Sequence, residues 1–386
     1  MKFMGYKRKD GSVGTRNYVG ILSTVVCANE VARAIAGQVR GAVAFSHQQG
    51  CCQTPPDLNR VTETLCGLGT NPNLHSVLLV SLGCEGTDSV RVAKRIAESG
   101  RKVETIVIQE EGGAALTTAK GILLAQQMAA EASRIHRESC NSQDIVLGLK
   151  CGSSDTTSGL SSNPALGVTV EKLMQEGATA IIGEITEIIG AEHIFASRAR
   201  DRETAEKILA LVERMENRAK AVGADMRGGQ PTPGNIAGGL TTIEEKSLGA
   251  IAKAGHATVQ DVYEYGHKPE TKGLVLMDSP GREPEILTGL AAAGANVIAF
   301  TTGRGAPQGF PFVPVIKITG NDKTWNNLRD HMDLSVSGVM SGEVSLEQAG
   351  ELIYEKIEET ASGALTRAEL SGYAEAMDIY VTGPVI

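Results

Sequence analysis

The chain has 386 residues, a formal net charge of −8, 41% apolar and 21% charged residues. That length can supply two or three cores, and the acidic balance argues against general nucleic-acid binding. The seven cysteines are odd in number and scattered, the N-terminus has no apolar leader, and no run of about 18 apolar residues occurs. A cytoplasmic, reducing setting with no membrane partner is therefore expected.

The first third alternates strand and helix signals. YVGILSTVV (18–26) is short, apolar and β-branched, the pattern of a buried strand. ANEVARAIAGQV has helical spacing, GAVAF (41–45) reads as a strand, and DLNRVTETLCGL (57–68) as a helix behind Pro55 and Pro56. SVLLVSLG (76–83) and VETIVIQ (103–109) are further strands around a helix, and a long helix over about 113–137 closes the unit. The polar ESCNSQ (138–143) reads as a linker.

A second unit follows. DIVLGLK (144–150), ATAIIGE (178–184), TKGLVLMDSPG, ANVIAFTTGRGAPQG and VPVIKITGN (313–321) carry strand signals, separated by helices at 167–176 and at DRETAEKILALVERMENRAKAV. The Gly- and Pro-rich stretch 226–242 is a loop of the functional or mobile kind, and SLEQAGELIYEKIEETASG is a late helix. The order implies an α/β protein of two Rossmann-like units with mostly parallel sheets and glycine-rich loops at the strand C-terminal ends. The expected domains are 1–140 and 144–386, the second catalytic, with the active site between them.

Parallel α/β folds bind ligands beyond the carboxyl ends of their strands. GAVAF is followed by SHQQGC, SVLLVSL by GCEGTD, and DIVLGLK by CGSSD, which brings Cys51, Cys84 with Glu85, and Cys151 to strand ends. Three such thiolates would hold iron, alone or as a cluster, with His47 a further ligand or a proton carrier. A single cysteine is more often a small buried hydrophobe, which suits Cys27, Cys66 and Cys140. GEITEIIGAEH adds Glu184, Glu187 and His193, and acids there also suit an exposed first helical turn. Asp155 lies in a Ser/Thr/Gly loop where Asp is also a turn former. Arg16 and Asn17 precede the first strand. Arg304 in TTGRG and Asn321 in TGN follow later strands, and Arg is the natural bidentate partner of a carboxylate. Lys246 follows the flexible loop, where an exposed helix lysine is the plainer reading. No GxGxxG follows the first strand, and GxxxxGK[ST] and GxSxG are absent.

Together GYKRKDGSVGTRNY, HQQGC, SLGCE, KCGSSD, NPALG, GAEH, PTPGNIAGGLTTIEEKSLG, MDSPG, TTGRG and IKITGN resemble the altronate/galactarate dehydratase family over about residues 5–338. The resemblance implies a lyase acting on a small hydroxy-carboxylate. Sugar-acid members remove water to leave a 2-keto-3-deoxy acid, with ferrous iron as usual cofactor. A related member expels sulfite from sulfolactate to leave pyruvate. Many members carry a small N-terminal SAF-type domain. This chain begins at the GYKRKDG motif, which implies the large subunit of a split enzyme with a separate small SAF subunit, and a homo-oligomer. CGSSD stands where the family commonly has CGGSD, and EITE at 184–187 where it has an ETPE type; both bear on the substrate.

On this reading Arg16 or Arg304 holds a carboxylate, helped by Asn17, Asp155 and Asn321. His47, His193 or Glu187 takes the alpha proton, with Lys246 as a further catalytic group. General acid/base help is typically worth 10²–10⁴-fold, about 3–5 kcal/mol. That is too little for an alpha proton, so a metal, Fe2+ or Mn2+, held by Cys51, Cys84, Cys151, Glu85 and Glu184, is expected as Lewis acid. A (2R)-sulfolactate sulfo-lyase subunit and a non-catalytic acid-binding subunit are the alternatives.

Overall fold

The computed structural model describes residues 1–375 and 377–386. Its strands are β1 (Lys2–Lys7), β2 (Val13–Gly14), β3 (Tyr18–Ser23), β4 (Ala42–Phe45), β5 (Leu74–Ser81), β6 (Lys102–Val107), β7 (Glu138–Asn141), β8 (Val146–Gly152), β9 (Thr179–Ile182), β10 (Val259–Tyr263), β11 (Gly273–Met277), β12 (Val297–Thr302), β13 (Val315–Thr319) and β14 (Leu334–Ser335). Three sheets result: four strands in the order β4-β3-β5-β6, seven in the order β10-β11-β9-β8-β12-β13-β14, and three in the order β2-β1-β7. All pairings in the two larger sheets are parallel. The continuous apolar runs follow from this, because helices cover both faces: every residue of β12 is buried. The α/β expectation holds.

The segment 138–143 is not a linker. Its first four residues form β7, antiparallel to β1 with Phe3 opposite Cys140. Only Cys140 of β7 is buried, so the strand shows one apolar position in four and its alternation escapes notice. Pro55 and Pro56 open their helix, Pro55–Gly69, rather than precede it, as proline suits a first turn whose N–H groups are free.

The two large sheets share a core. Leu22 and Phe45 of the first sheet and Leu65 of the helix Pro55–Gly69 pack in one cluster with Ile181 and Phe300 of the second and Leu290 of the helix Glu283–Ala292, joined by Met377, Ile379 and Tyr380 of the C-terminal tail. The helices Pro55–Gly69 and Glu283–Ala292 cross so closely that a Cβ on Gly67 would stand 2.4 Å from the Ala292 carbonyl oxygen. Buried amides fix the seam: Asn73 Nδ2 donates to the carbonyls of Asn296 (3.1 Å) and Phe312 (2.9 Å).

Candidate active site

In the seven-stranded sheet the strand order reverses beside β8, so the carboxyl ends of β8 and β12 flank a crevice of the kind in which open α/β sheets bind ligands. The Arg304 backbone N–H donates to the Ser153 carbonyl at 3.0 Å across it. Ser153 has a φ of 48°, a left-handed value that favours glycine. A serine there costs about 1–2 kcal/mol.

Beneath the crevice lies a buried nest of ionisable groups. Lys150 and Cys151 end β8, and Glu184 and Glu187 follow β9. Lys253 stands just after the helix Ile243–Ile251, which carries Lys246. Glu184 adopts a φ of 64°. Ser279 holds it there, its hydroxyl accepting from the Glu184 N–H at 2.8 Å and its carbonyl from the Ile185 N–H at 3.0 Å. The Glu184 carboxylate accepts from Lys150 and, at 3.0 Å, from the Cys151 backbone N–H. Lys253 Nζ lies 3.1 Å from Glu184 Oε2, 3.5 Å from Glu187 Oε2 and 3.2 Å from Cys151 Sγ. The Cys151 thiol donates to Glu187 Oε2 at 2.6 Å. Lys246 Nζ is 3.9 Å from Glu187 Oε1 and is the one partly exposed cation of this group, at 12%.

Protonation states follow from the surroundings. Burial pushes the Cys151 thiol well up, and the Glu187 charge adds to this, so the sulfur stays protonated. Burial works against the Lys253 ammonium, but the Cys151, Glu184 and Glu187 side chains hold it above the usual lysine range. Burial also opposes the Lys150 charge, and Glu184 with Glu283 more than restores it. Burial raises Glu184, reinforced by the neighbouring Glu187 charge. Against burial, Lys253, Lys246 and Lys150 pull Glu187 below the usual carboxylate range. Two carboxylates thus face two interior ammoniums, and Glu187, ionised and next to Lys246 at the cleft side, is the candidate base.

A cleft of about 470 Å³ opens beside the nest, lined by Ser154, Asp155, Asn163, Glu245 and Lys246 among others. Lys246 joins the two. Cys151 Sγ and one oxygen each of Glu184 and Glu187 lie within 4.8 Å of one another, the one such donor set among the described residues. Two carboxylates and a thiol that would have to give up its proton are donors of the kind a divalent first-row ion takes. Lys253, which touches all three donors, is the cation among them in this structure.

Of the residues singled out by sequence, Cys151, Glu184, Glu187 and Lys246 come together, with Asp155, Arg304 and Asn321 on adjoining loops. Asp155 takes a different part from the expected ligand contact. Its carboxylate accepts from Asn321 Nδ2 (2.7 Å), the Thr157 hydroxyl (2.7 Å) and the Ser158 N–H (3.1 Å), and so ties loops together. The Arg304 side chain is exposed and donates to the Gly234 carbonyl at 2.8 Å.

The other expectations need correction. Cys51, Cys84 and Glu85 do not join Cys151, because they stand at the carboxyl edge of the other sheet. Cys51 and Cys84 are exposed while Cys151 is buried. Glu85 is spoken for by the Thr24 hydroxyl and the Gly83 N–H, both at 2.6 Å. His47 is buried with both ring nitrogens occupied: Nε2 meets the Ser23 carbonyl at 2.9 Å and Nδ1 accepts from the Gln49 N–H at 3.2 Å. Burial pushes it down to about 4, so it is a neutral structural imidazole. His193 is exposed on the helix Glu192–Ala196, outside the nest. Arg16 is buried and satisfied by Glu369 and by the carbonyls of Thr15, Thr360 and Ala364. Asn17 bonds Arg8 and the Ala132 carbonyl. Both belong to the scaffold. Sequence reasoning missed Lys150 and Lys253. Lys150 had a signal, a charge closing an apolar strand, whereas Lys253 in IAKAGH had none.

Residues 142–383 match the family model described as D-galactarate/altronate dehydratase, C-terminal, and residues 5–133 match the D-galactarate dehydratase/altronate hydrolase second domain. The chain belongs to the D-galactarate/altronate dehydratase family. Among the family's curated members, the altronate dehydratase of Bacillus subtilis is 32% identical over 97% of this chain and 76% of that enzyme. The galactarate dehydratase (L-threo-forming) of Escherichia coli is 31% identical over 94% of this chain and 73% of that enzyme. The (2R)-sulfolactate sulfo-lyase subunit beta of Chromohalobacter salexigens is 38% identical over 97% of this chain and 96% of that subunit. All are lyases by name, and membership makes this chain a lyase. No helix among the described residues is long and apolar enough to cross a membrane.

Proposed function

We propose that this chain eliminates water from a small 2-hydroxy acid, a sugar acid of the altronate or galactarate type, to give a 2-keto-3-deoxy acid. The observation that carries this reading is the nest itself: an ionised Glu187 in contact with a protonated thiol and an ammonium, reached from the cleft through Lys246. Glu187 takes the alpha proton. Lys246, on the cleft side, protonates the leaving hydroxyl, and Arg304 receives a substrate carboxylate. Lys253 and Lys150 keep the second carboxylate, Glu184, in place and balance its charge. Ferrous iron or manganese held by Glu184 and a deprotonated Cys151 would leave Glu187 free as the base and would supply Lewis acidity to the enediolate-like charge; a single thiol in the set gives little support to an iron–sulfur cluster. Residues 144–386 are then the catalytic unit.

Hydroxide is a poor leaving group and needs a proton to depart as water, and the site has proton donors; this favours dehydration. A second reading, sulfite release from sulfolactate, is favoured by the 38% identity that spans both chains almost completely. That relative's description as a subunit beta supports a partner subunit here, for which a small SAF-type chain and further copies of this chain are proposed. The free cysteines suit a reducing compartment such as the cytoplasm.

The test offers altronate, galactarate and sulfolactate to the protein, with and without ferrous iron and the partner, and follows keto acid and sulfite. Keto acid without sulfite supports dehydration. Sulfite with pyruvate establishes the second reading, and binding without turnover of any acid by the reconstituted pair overturns both.

A further inference from the structure

The loop after β4 is not used by the site above, although it holds an unusual pair of residues. Cys51 and Cys52 are both exposed, and their sulfurs lie 3.6 Å apart. Successive side chains of an extended segment point to opposite faces, so adjacent thiols ordinarily diverge. Here Cys52 has a φ of 54°, a left-handed value costing about 1–2 kcal/mol for a side-chain-bearing residue. The bend is held from both sides. Gln53 Oε1 accepts from the Gly50 N–H at 2.9 Å, and the Cys52 carbonyl accepts from the Ile386 N–H at 2.8 Å. Gln53 Nε2 is buried and has no hydrogen-bond partner. A second loop, after β5, is fastened to the first: the Gly86 N–H donates to the Gly50 carbonyl at 2.9 Å. It carries a further exposed thiol, Cys84, and the Glu85 carboxylate.

We infer that Cys51 and Cys52 form a chelating dithiol for a soft, thiophilic divalent cation of the zinc group. Binding exchanges two S–H protons for two metal–sulfur bonds and changes no oxidation state. The site is separate from the Cys151 nest, so its fate and that of the proposed elimination are independent.

Cadmium is the probe, because cadmium–thiolate bonds absorb in the near ultraviolet. Titration of the reduced full chain should give one saturable absorption step. Cys51→Ser and Cys52→Ser should each weaken binding at least tenfold and remove part of the absorption. Cys151→Ser should leave the step unchanged. An unchanged step in both Cys51→Ser and Cys52→Ser, or its loss in Cys151→Ser alone, overturns the inference. Phenylarsine oxide gives a second readout, since two thiols and its oxygen yield two As–S bonds and water. It should remove two thiols from the count in wild type but leave that pair unbridged in Cys51→Ser; equal loss in both proteins contradicts the dithiol.

Discussion

Replacing Lys253 by methionine probes the charge balance of the nest. Lys253 is 1% exposed and contacts Glu184 Oε2 at 3.1 Å, Glu187 Oε2 at 3.5 Å and Cys151 Sγ at 3.2 Å. Within the interior, Glu184 and Glu187 contribute two negative charges and Lys150 and Lys253 two positive ones; Lys253→Met leaves an excess of one negative charge. Breaking a buried pair from one side costs about 3–5 kcal/mol, because the orphaned charge stays desolvated. The variant can recover part of this by protonating Glu184, whose carboxyl burial already pushes up. A raised folded-state value means that the native state binds more protons than the unfolded one above the ordinary carboxylate range. The contribution is therefore full at low pH and lost as pH rises through the folded value. Urea denaturation from about pH 5 to pH 8 should show a deficit against wild type that is smallest at the acid end. A deficit below about 1 kcal/mol, or one independent of pH, would refute the assignment of Lys253 as counter-charge to two buried carboxylates.

A Cβ added at Gly303 would stand 2.2 Å from Asp155 Cγ, so Gly303→Ala should cost about 1–3 kcal/mol as an overpacked site and lower kcat/KM sharply by displacing the loop of Arg304; unfolding curves and turnover measure the two. Lys317 is buried under the same loop, donating to the carbonyls of Ala306 (2.9 Å) and Gln308, and burial pushes it down to about 7. Its folded value lies below its unfolded one, so the native state binds fewer protons in between and stability is lost as pH falls towards 7. Wild type should accordingly gain on Lys317→Met by up to about 1.4 kcal/mol per pH unit between about pH 7 and pH 10; a flat difference contradicts this.

The parallel sheets were legible because strands buried on both faces are written as unbroken apolar runs, as in VIAFTT. The small antiparallel sheet was not, since β7 buries one residue and β2 has two in all. For the site, chain order indicated which groups reach strand ends but not which sheet edge they share. Cys51 and Cys84 lie past the ends of their strands and Cys151 within the end of β8, yet the first two occupy the edge of a different sheet. Histidine drew attention for its usual pKa near neutrality, a property that burial removes at His47. Lysine is hardest to place in advance. Lys150, Lys253 and Lys317 are each at most 1% exposed, and what pays for their burial, carboxylates or carbonyls from distant segments, is visible only in three dimensions.

The central claim is that Glu187 is the base of an elimination. Its most direct test compares Glu187→Gln with wild type for keto-acid release and for exchange of the substrate's alpha proton with deuterated solvent. A fall of about 10²–10⁴ in both rates, with the fold intact, is the result predicted. Exchange and release within a few-fold of wild type would contradict the account.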